Sequence, residues 1–194
     1  MGKIILASSS PRRSDILKKL DIDFEIIPSR YVEEHNAAVF SYDYVERQAL
    51  GKAQEVALRI DEDTIVLGAD TIVVLEDKIL EKPKDKEDAF NTLKQLSGKT
   101  HFVVTSMALV SSKTKKFEVK SDTTYVTFND LTEQMINSYI EEFNPLDKAG
   151  SYGIQELPNG FVKEIKGFMD NVIGLPSQNL KLWIEEFTKK SKQV

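Results

Sequence analysis

A turn between the first predicted strand and helix carries hydroxyl and guanidinium groups. The apolar run at 3–7 predicts a strand, which leads into Ser8-Ser9-Ser10-Pro11-Arg12-Arg13. Ser10 suits a helix N-cap and Pro11 the first helical position. A helix N-terminus attracts anions, and two arginines in its first turn oppose the helix dipole unless a phosphate chain neutralises them. The turn therefore predicts a phosphate site, the alternative being an exposed arginine pair. It contains no glycine, so it is not a P-loop.

An aspartate interrupts a later hydrophobic run at Gly68-Ala69-Asp70-Thr71. A charged group in such a run is costly unless it is paired or bound to a metal. At the end of a strand inside a cleft, the Asp70 carboxylate could hold a divalent cation or accept a proton from water. The alternative is an aspartate satisfied by backbone N–H groups at a strand end or bulge.

Two lysines and one long loop complete the candidates. Lys82 precedes Pro83 at a strand end, and Lys52 lies on the helix predicted over 41–59. Each could act as a point charge for a phosphate, and each could equally be a solvated surface lysine. The loop at 144–158 ends its polar segment in Gln155, whose amide can both donate and accept. Gln155 could therefore read the edge of a uracil or thymine ring, unless the loop is only a connector.

Composition narrows the chemistry. The chain has 194 residues, of which 41% are hydrophobic, which is too apolar for a disordered chain. It has no cysteine and two histidines, so zinc–thiolate sites, iron–sulfur clusters and a cysteine nucleophile are excluded. Metal chemistry would then use carboxylate oxygens, which suit Mg²⁺ or Mn²⁺.

Charge and hydropathy also predict partners and location. A net charge of -5 disfavours binding to a nucleic-acid polymer. No apolar segment approaches the roughly 20 residues of a membrane span, so we expect no membrane partner and a cytoplasmic location. A homodimer is the default expectation for an oligomer.

Alternating helix and strand periods predict a single α/β domain over 1–194 with a mixed sheet and flanking helices. The strands are predicted at 3–7, 24–27, 64–75, 79–80, 100–111, 117–128 and 161–165. The helices are predicted from residue 11, over 41–59, around 89–96, from a cap at Thr132, and around 180–187.

Taken together, several collinear motifs resemble the Maf family of nucleotide pyrophosphatases, first linked to septum formation. The matching segments are Leu6-Ala7-Ser8-x-Ser10-Pro11-Arg12-Arg13, Gly68-Ala69-Asp70-Thr71, Lys82-Pro83, Leu96-Ser97-Gly98-Lys99-Thr100-His101, Asp147-Lys148-Ala149-Gly150-x-Tyr152-Gly153-Ile154-Gln155 and Val172-x-Gly174-Leu175-Pro176. They follow the order of the family's motifs and span almost the whole chain.

The resemblance implies an elongated, inosine-triphosphatase-like (Maf/Ham1) fold with two lobes around a cleft. It also implies hydrolysis of dTTP and UTP to the monophosphate and pyrophosphate with Mg²⁺ or Mn²⁺, which would remove non-standard or excess pyrimidine nucleotides. By the same resemblance Asp70 is the proton acceptor, and a glutamate after the second strand, Glu33 or preferably Glu34, joins Asp70 as metal ligand. The residues implied to set base specificity are Arg13, Thr71 and Gln155, and those implied to bind phosphate are Ser8, Arg12, Lys52 and Lys82.

Two other functions remain open from the sequence alone. The first is an inosine-triphosphatase-type enzyme that removes damaged purine nucleotides. The second is a nucleotide-responsive regulator of septum formation or cell division, which would bind a nucleotide without turning it over.

Overall fold

The computed structural model describes residues 2–33 and 39–192. In that part of the chain, seven strands and six α-helices alternate. The strands are β1 (Ile4–Leu6), β2 (Phe24–Ile26), β3 (Ile65–Leu75), β4 (Lys78–Leu80), β5 (Thr100–Ser111), β6 (Phe117–Phe128) and β7 (Val162–Lys166). The helices are α1 (Pro11–Lys19), α2 (Tyr42–Leu58), α3 (Lys86–Leu96), α4 (Glu133–Phe143), α5 (Met169–Ile173) and α6 (Leu180–Lys192).

The strands form one mixed sheet in the order β2-β1-β3-β5-β6-β7, with β4 also beside β3. β1 runs parallel to both β2 and β3, and the remaining pairs are antiparallel. This architecture confirms the predicted mixed α/β sheet with flanking helices. The prediction for β5 and β6 matches the observed bounds of both strands.

The long strand β3 has a gap along one edge. On its other edge it pairs with β5 from Ile65 to Val74. On the gapped edge it pairs with β1 only at Val66 and Leu67, and with β4 only from Val73 to Leu75. Among the described residues, no strand therefore covers β3 between these two pairings, and the carboxyl end of β1 points into the gap. A cavity can open there without breaking the sheet.

Helix α2 covers one face of the sheet at unusually short range. Ser41 caps α2 through a side-chain bond from the Tyr44 N–H, as its sequence suggests. A Cβ on Gly68 of β3 would lie 2.8 Å from the Ala53 nitrogen and closer still to the Ala49 oxygen. Only a residue without a side chain allows α2 to approach β3 this closely.

The opposite face of the sheet carries two separate apolar cores. One surrounds Leu67 and Trp183, where α1 and α6 pack. The other surrounds Val73 and Tyr139, where α3 and α4 pack. A polar stripe lies between them, formed by the half-buried Thr71 and the buried Thr105 and Asn171, and its hydrogen bonds link β3, β5 and α5.

The structure corrects the expected setting of Asp70. The chemistry of this carboxylate was considered at a strand end, whereas it lies in the middle of β3, within the strand that the sequence predicts over 64–75. The gap in the neighbouring edge provides the opening that a strand end was expected to provide.

Among the described residues, no helix combines the length and the apolar character needed to cross a membrane.

Candidate active site

A cavity of about 720 Å³ occupies the gap beside β3. Its walls come from the β1–α1 turn, α2, the middle of β3, the end of β4 and the loop that follows α4. The site residues that the sequence predicted and that the structure describes all line it: Ser8, Arg12, Arg13, Lys52, Asp70, Thr71, Lys82 and Gln155. The fold thus brings together segments far apart in the chain. Glu34, the preferred glutamate ligand, lies outside the described residues.

Two carboxylates converge on one ammonium group in this cavity. The Lys52 Nζ donates to Asp70 Oδ1 at 2.6 Å and lies 2.7 Å from Glu33 Oε1. The side chains of Lys52 and Asp70 are only 11% and 12% exposed. Gly68 and Asp70 face the same side of β3, so the close approach of α2 at Gly68 is what brings Lys52 to Asp70.

The donor set at this cluster fits a hard divalent cation. Within 2–33 and 39–192, no group of three or more metal-binding side chains could form a cage. Mg²⁺ needs no such cage, because it is held by one or two carboxylates together with substrate phosphates and water. Asp70 and Glu33 supply two carboxylates on one wall of the cavity.

The Arg13 guanidinium is fixed between three acceptors. It donates to Ser8 Oγ at 3.0 Å, to Thr71 Oγ1 at 3.2 Å and to the Gly174 carbonyl oxygen at 2.9 Å. Gly174 has a φ of +120, and a Cβ there would lie 3.3 Å from Thr71 Oγ1. Burial lowers the pKa of Arg13, while the charge of Asp70 opposes that shift. An arginine remains protonated under such a shift, so a fixed cation stands in the cavity wall.

A chain of alternating charges crosses one side of the cavity. Asp147 lies 3.4 Å from Arg12 NH1 and 2.8 Å from the Lys148 Nζ, and Lys148 also lies 3.2 Å from Glu156 Oε2. The Lys148 side chain is only 8% exposed. This chain of ion pairs ties the first turn of α1 to the loop that carries Gln155.

The chain matches the family model described as Maf-like protein over residues 3–187. The chain belongs to the Maf family. Among curated Maf relatives, a Clostridium botulinum protein is 46% identical over 185 residues, covering 95% of this chain and 98% of the relative. A Clostridium novyi protein is 47% identical over 181 residues, covering 92% and 94%. Both relatives carry the name dTTP/UTP pyrophosphatase.

A solved structure also resembles this Maf chain at low identity. The Ham1 protein of Staphylococcus aureus aligns with a TM-score of 0.46 and 16% identity, covering 66% of this chain and 73% of that one.

Sequence reasoning gave no role to three residues of this Maf protein, one that lines the cavity and two that support a loop in its wall. Lys148 was not singled out, although it lies within a motif that carries the family resemblance. His101 is a buried strand residue, and its Nε2 lies 2.7 Å from the hydroxyl of the cavity residue Tyr152. The Tyr139 hydroxyl accepts from the Gly153 N–H at 3.0 Å. These two contacts fix the loop at Tyr152 and Gly153, close in sequence to Gln155.

Burial also fixes the charge state of His101. It lowers the pKa of the ring to about 4, so the imidazole is neutral at pH 7. The ring packs edge-on against Phe128 and Tyr152. His101 therefore supports the loop as a neutral hydrogen-bonding ring.

Proposed function

We propose that this Maf protein hydrolyses dTTP and UTP to the nucleoside monophosphate and pyrophosphate. The observation that carries the proposal is the Asp70–Lys52–Glu33 cluster, which shares one cavity with the fixed Arg13 guanidinium. The cavity volume of about 720 Å³ falls within the usual range of small-molecule sites. The names of the relatives at 46% and 47% identity support the choice of dTTP and UTP.

The triphosphate is assigned to the charged side of the cavity. Arg12, Lys52 and Lys82 line that side, and carboxylates pair with Arg12 and with Lys52 there. A divalent cation bound together with the triphosphate would offset those carboxylates, so that the lysines and Arg12 could bind phosphate oxygens. The Ser8 hydroxyl lies beside the same turn and is a further candidate phosphate contact.

Asp70 is assigned the proton transfer. Its carboxylate orients a water molecule in line with the α-phosphorus and accepts a proton as the new P–O bond forms. The bond from the α-phosphorus to the bridging oxygen breaks, and pyrophosphate leaves with its electron pair. Lys52 donates to Asp70 and fixes the position of the carboxylate, while the cations of the cavity balance charge on the phosphate oxygens.

Asp70 and Glu33 are the described residues that would hold Mg²⁺ or Mn²⁺, with Glu34 a further candidate. Such a cation supplies charge neutralisation at the phosphate oxygens.

The base is assigned to the other side of β3. Side chains alternate along a strand, so Thr71 faces away from Asp70. The apolar wall residues Val103, Val172 and Ile154 pack in or against the core of Val73, which faces the same side of β3 as Thr71. An apolar wall with a few fixed polar groups suits a planar base, whereas a charged wall suits phosphates. Gln155 stands exposed at the rim of the same cavity.

A substrate panel tests the proposal. Purified protein with Mg²⁺ or Mn²⁺ is given dTTP, UTP, ATP, GTP and ITP, and pyrophosphate and monophosphate are measured. The proposal predicts that dTTP and UTP are the best substrates and that pyrophosphate appears in equal amount with the monophosphate. Fastest turnover of ITP would favour the inosine-triphosphatase alternative. A rise in melting temperature without turnover of any nucleotide would favour the regulatory alternative.

We infer a cytoplasmic protein that binds free nucleotides rather than nucleic-acid polymers, and a homodimer in solution. Light scattering after size-exclusion chromatography tests the dimer, and a mass near the 22.0 kDa of one chain would contradict it.

A further inference from the structure

A buried chain of hydrogen bonds behind the cavity fixes the direction of one hydroxyl in its wall. Thr71 lines the cavity, whereas Thr105 and Asn171 are fully buried behind it. The Thr105 hydroxyl donates to the backbone carbonyl oxygen of Asn171 at 2.8 Å, and Thr71 Oγ1 lies 2.9 Å from Thr105 Oγ1. On the cavity side, Arg13 donates to the same Thr71 oxygen at 3.2 Å.

The direction of each bond follows from counting hydrogens. A hydroxyl has one hydrogen and two lone pairs, and a carbonyl oxygen only accepts. The Thr105 hydroxyl donates its hydrogen to the backbone carbonyl oxygen of Asn171, so Thr105 can only accept from Thr71. The Thr71 hydroxyl therefore donates its own hydrogen to Thr105 and accepts from Arg13. In the described part of the chain, Thr71 is left with one lone pair and no hydrogen to offer a ligand.

Asn171 is itself held in one orientation. Its side-chain oxygen accepts from the Thr105 backbone N–H at 3.1 Å, and its side-chain nitrogen donates to the Val103 carbonyl oxygen at 2.9 Å and to Thr124 Oγ1 at 3.0 Å. A flipped amide would place like groups opposite the backbone N–H and carbonyl. The Asn171 side chain therefore cannot turn, and it anchors this residue to β5, where its backbone carbonyl oxygen accepts from the Thr105 hydroxyl.

The cavity consequently presents a donor beside an acceptor. The guanidinium of Arg13 has five N–H groups, more than its three protein acceptors use. Next to it, Thr71 presents a lone pair. The imide edge of uracil or thymine has the complementary pattern, a carbonyl oxygen beside a ring N–H. Cytosine has an acceptor nitrogen in place of that N–H, which would face the Thr71 lone pair.

We propose that Thr105 and Asn171 are positioning residues that make the Thr71 hydroxyl an obligate acceptor, so that the pocket prefers an imide ring over cytosine. This inference rests on the proposed function for the placement of the base beside Thr71. Gln155 cannot impose the same preference, because an exposed amide at the rim can present either its oxygen or its nitrogen.

The decisive variant is Thr105→Val, which keeps the shape of the side chain and removes its hydroxyl. The Thr71 hydrogen then becomes free to turn toward the cavity and meet the cytosine nitrogen. We expect the wild type to prefer UTP over CTP in kcat/KM by roughly 10-fold or more, and Thr105→Val to lose most of that preference, mainly through faster CTP turnover. Thr105→Ser, which retains the hydroxyl, should keep the wild-type preference.

Thr100→Val is the matched control. It removes a hydroxyl from the same strand and from a similar pair with Thr127 at 2.8 Å, and Thr100 does not line the cavity. The control should keep the wild-type preference. Equal preference for UTP over CTP in Thr105→Val and wild type, with Thr105→Val folded by its thermal transition, would overturn the proposal.

A ligand series tests the same point without a mutation. Equilibrium dissociation constants are measured for UMP, CMP and N3-methyl-UMP with the wild-type protein. UMP should bind tightest, because only UMP offers the ring N–H. Equal binding of UMP and N3-methyl-UMP would overturn the inference. If UMP is preferred but neither dTTP nor UTP is hydrolysed, the proposed function fails while the pocket's preference stands.

Discussion

Replacing Gly68 with alanine tests how the fold builds the acid–lysine cluster. A Cβ at this position would lie 2.8 Å from the Ala53 nitrogen and 2.9 Å from the Ala53 Cβ, and closer still to the Ala49 oxygen. Two of these neighbours are backbone atoms of α2, so no side-chain rotation can relieve the clash. The helix must move away from β3, and Lys52 moves with it.

The loss of stability in Gly68→Ala can be estimated from the atoms that the new Cβ would contact. Overpacking in a core costs typically 1–3 kcal/mol, and contact with helix backbone belongs at the upper end. Alanine loses less chain entropy than glycine on folding, which offsets roughly 0.4–1 kcal/mol. We therefore expect Gly68→Ala to lower the free energy of unfolding by about 2 kcal/mol. A shift of about 1 Å at Lys52 should lower kcat by roughly 10- to 100-fold.

Urea unfolding and pyrophosphate release measure the two effects. Gly51→Ala is the informative companion, because a Cβ at Gly51 would meet the aromatic ring of Tyr31 rather than backbone. That ring can turn aside, so this variant should lose less stability. Gly2→Ala is the neutral control, since no atom of the described residues lies within 4 Å of where a Cβ on Gly2 would be. If Gly68→Ala were as stable and as active as Gly2→Ala, our account of the close helix approach would be wrong.

Three further predictions concern the loop, the buried histidine and the cation. Gln155→Ala should reduce the preference for UTP over ATP in kcat/KM by roughly 10-fold. The free energy of unfolding should change by less than about 0.5 kcal/mol, because Gln155 is exposed. An unchanged preference would exclude Gln155 from base selection. His101 has a folded pKa of about 4 against 6.5 in the unfolded chain, so stability should fall as the pH drops from 6.5 toward 4. The loss should reach about 3 kcal/mol, and His101→Gln should flatten that part of the unfolding profile; an identical profile would contradict the assignment. Chelation with EDTA should abolish pyrophosphate release and added Mg²⁺ or Mn²⁺ should restore it, whereas full activity in EDTA would remove the cation from the proposal.

Sequence patterns were sufficient to predict the bounds of helices and strands where local preferences agree with the tertiary structure. The bounds of β5 and β6 follow from long β-branched runs separated by a polar turn. Helix α4 starts after Thr132 because its hydroxyl accepts from the Met135 N–H, which the sequence suggested through its N-cap preference. Helix α5 was missed, since its five residues are too short to show a helical period.

The geometry of the cavity and its contacts could not be predicted from local sequence patterns. The gap beside β3 exists because β1 and β4 pair with different ends of that strand, which is a property of the sheet's pairing. The bond between His101 and Tyr152 joins residues 51 positions apart. Family motifs indicated which polar residues belong together. The direction of the Thr71 hydroxyl instead depends on Thr105 and on the backbone carbonyl of Asn171, to which no motif assigned a role.

The role of Asp70 as proton acceptor is tested by comparing pyrophosphate release from dTTP by wild type, Asp70→Asn and Asp61→Asn. Asp61→Asn makes the same chemical change at an exposed position outside the cavity. If Asp70 takes the proton from the attacking water, Asp70→Asn should lower kcat by roughly 10²- to 10⁴-fold, and Asp61→Asn should match wild type. Wild-type turnover by a folded Asp70→Asn protein would contradict the claim that this carboxylate drives the reaction.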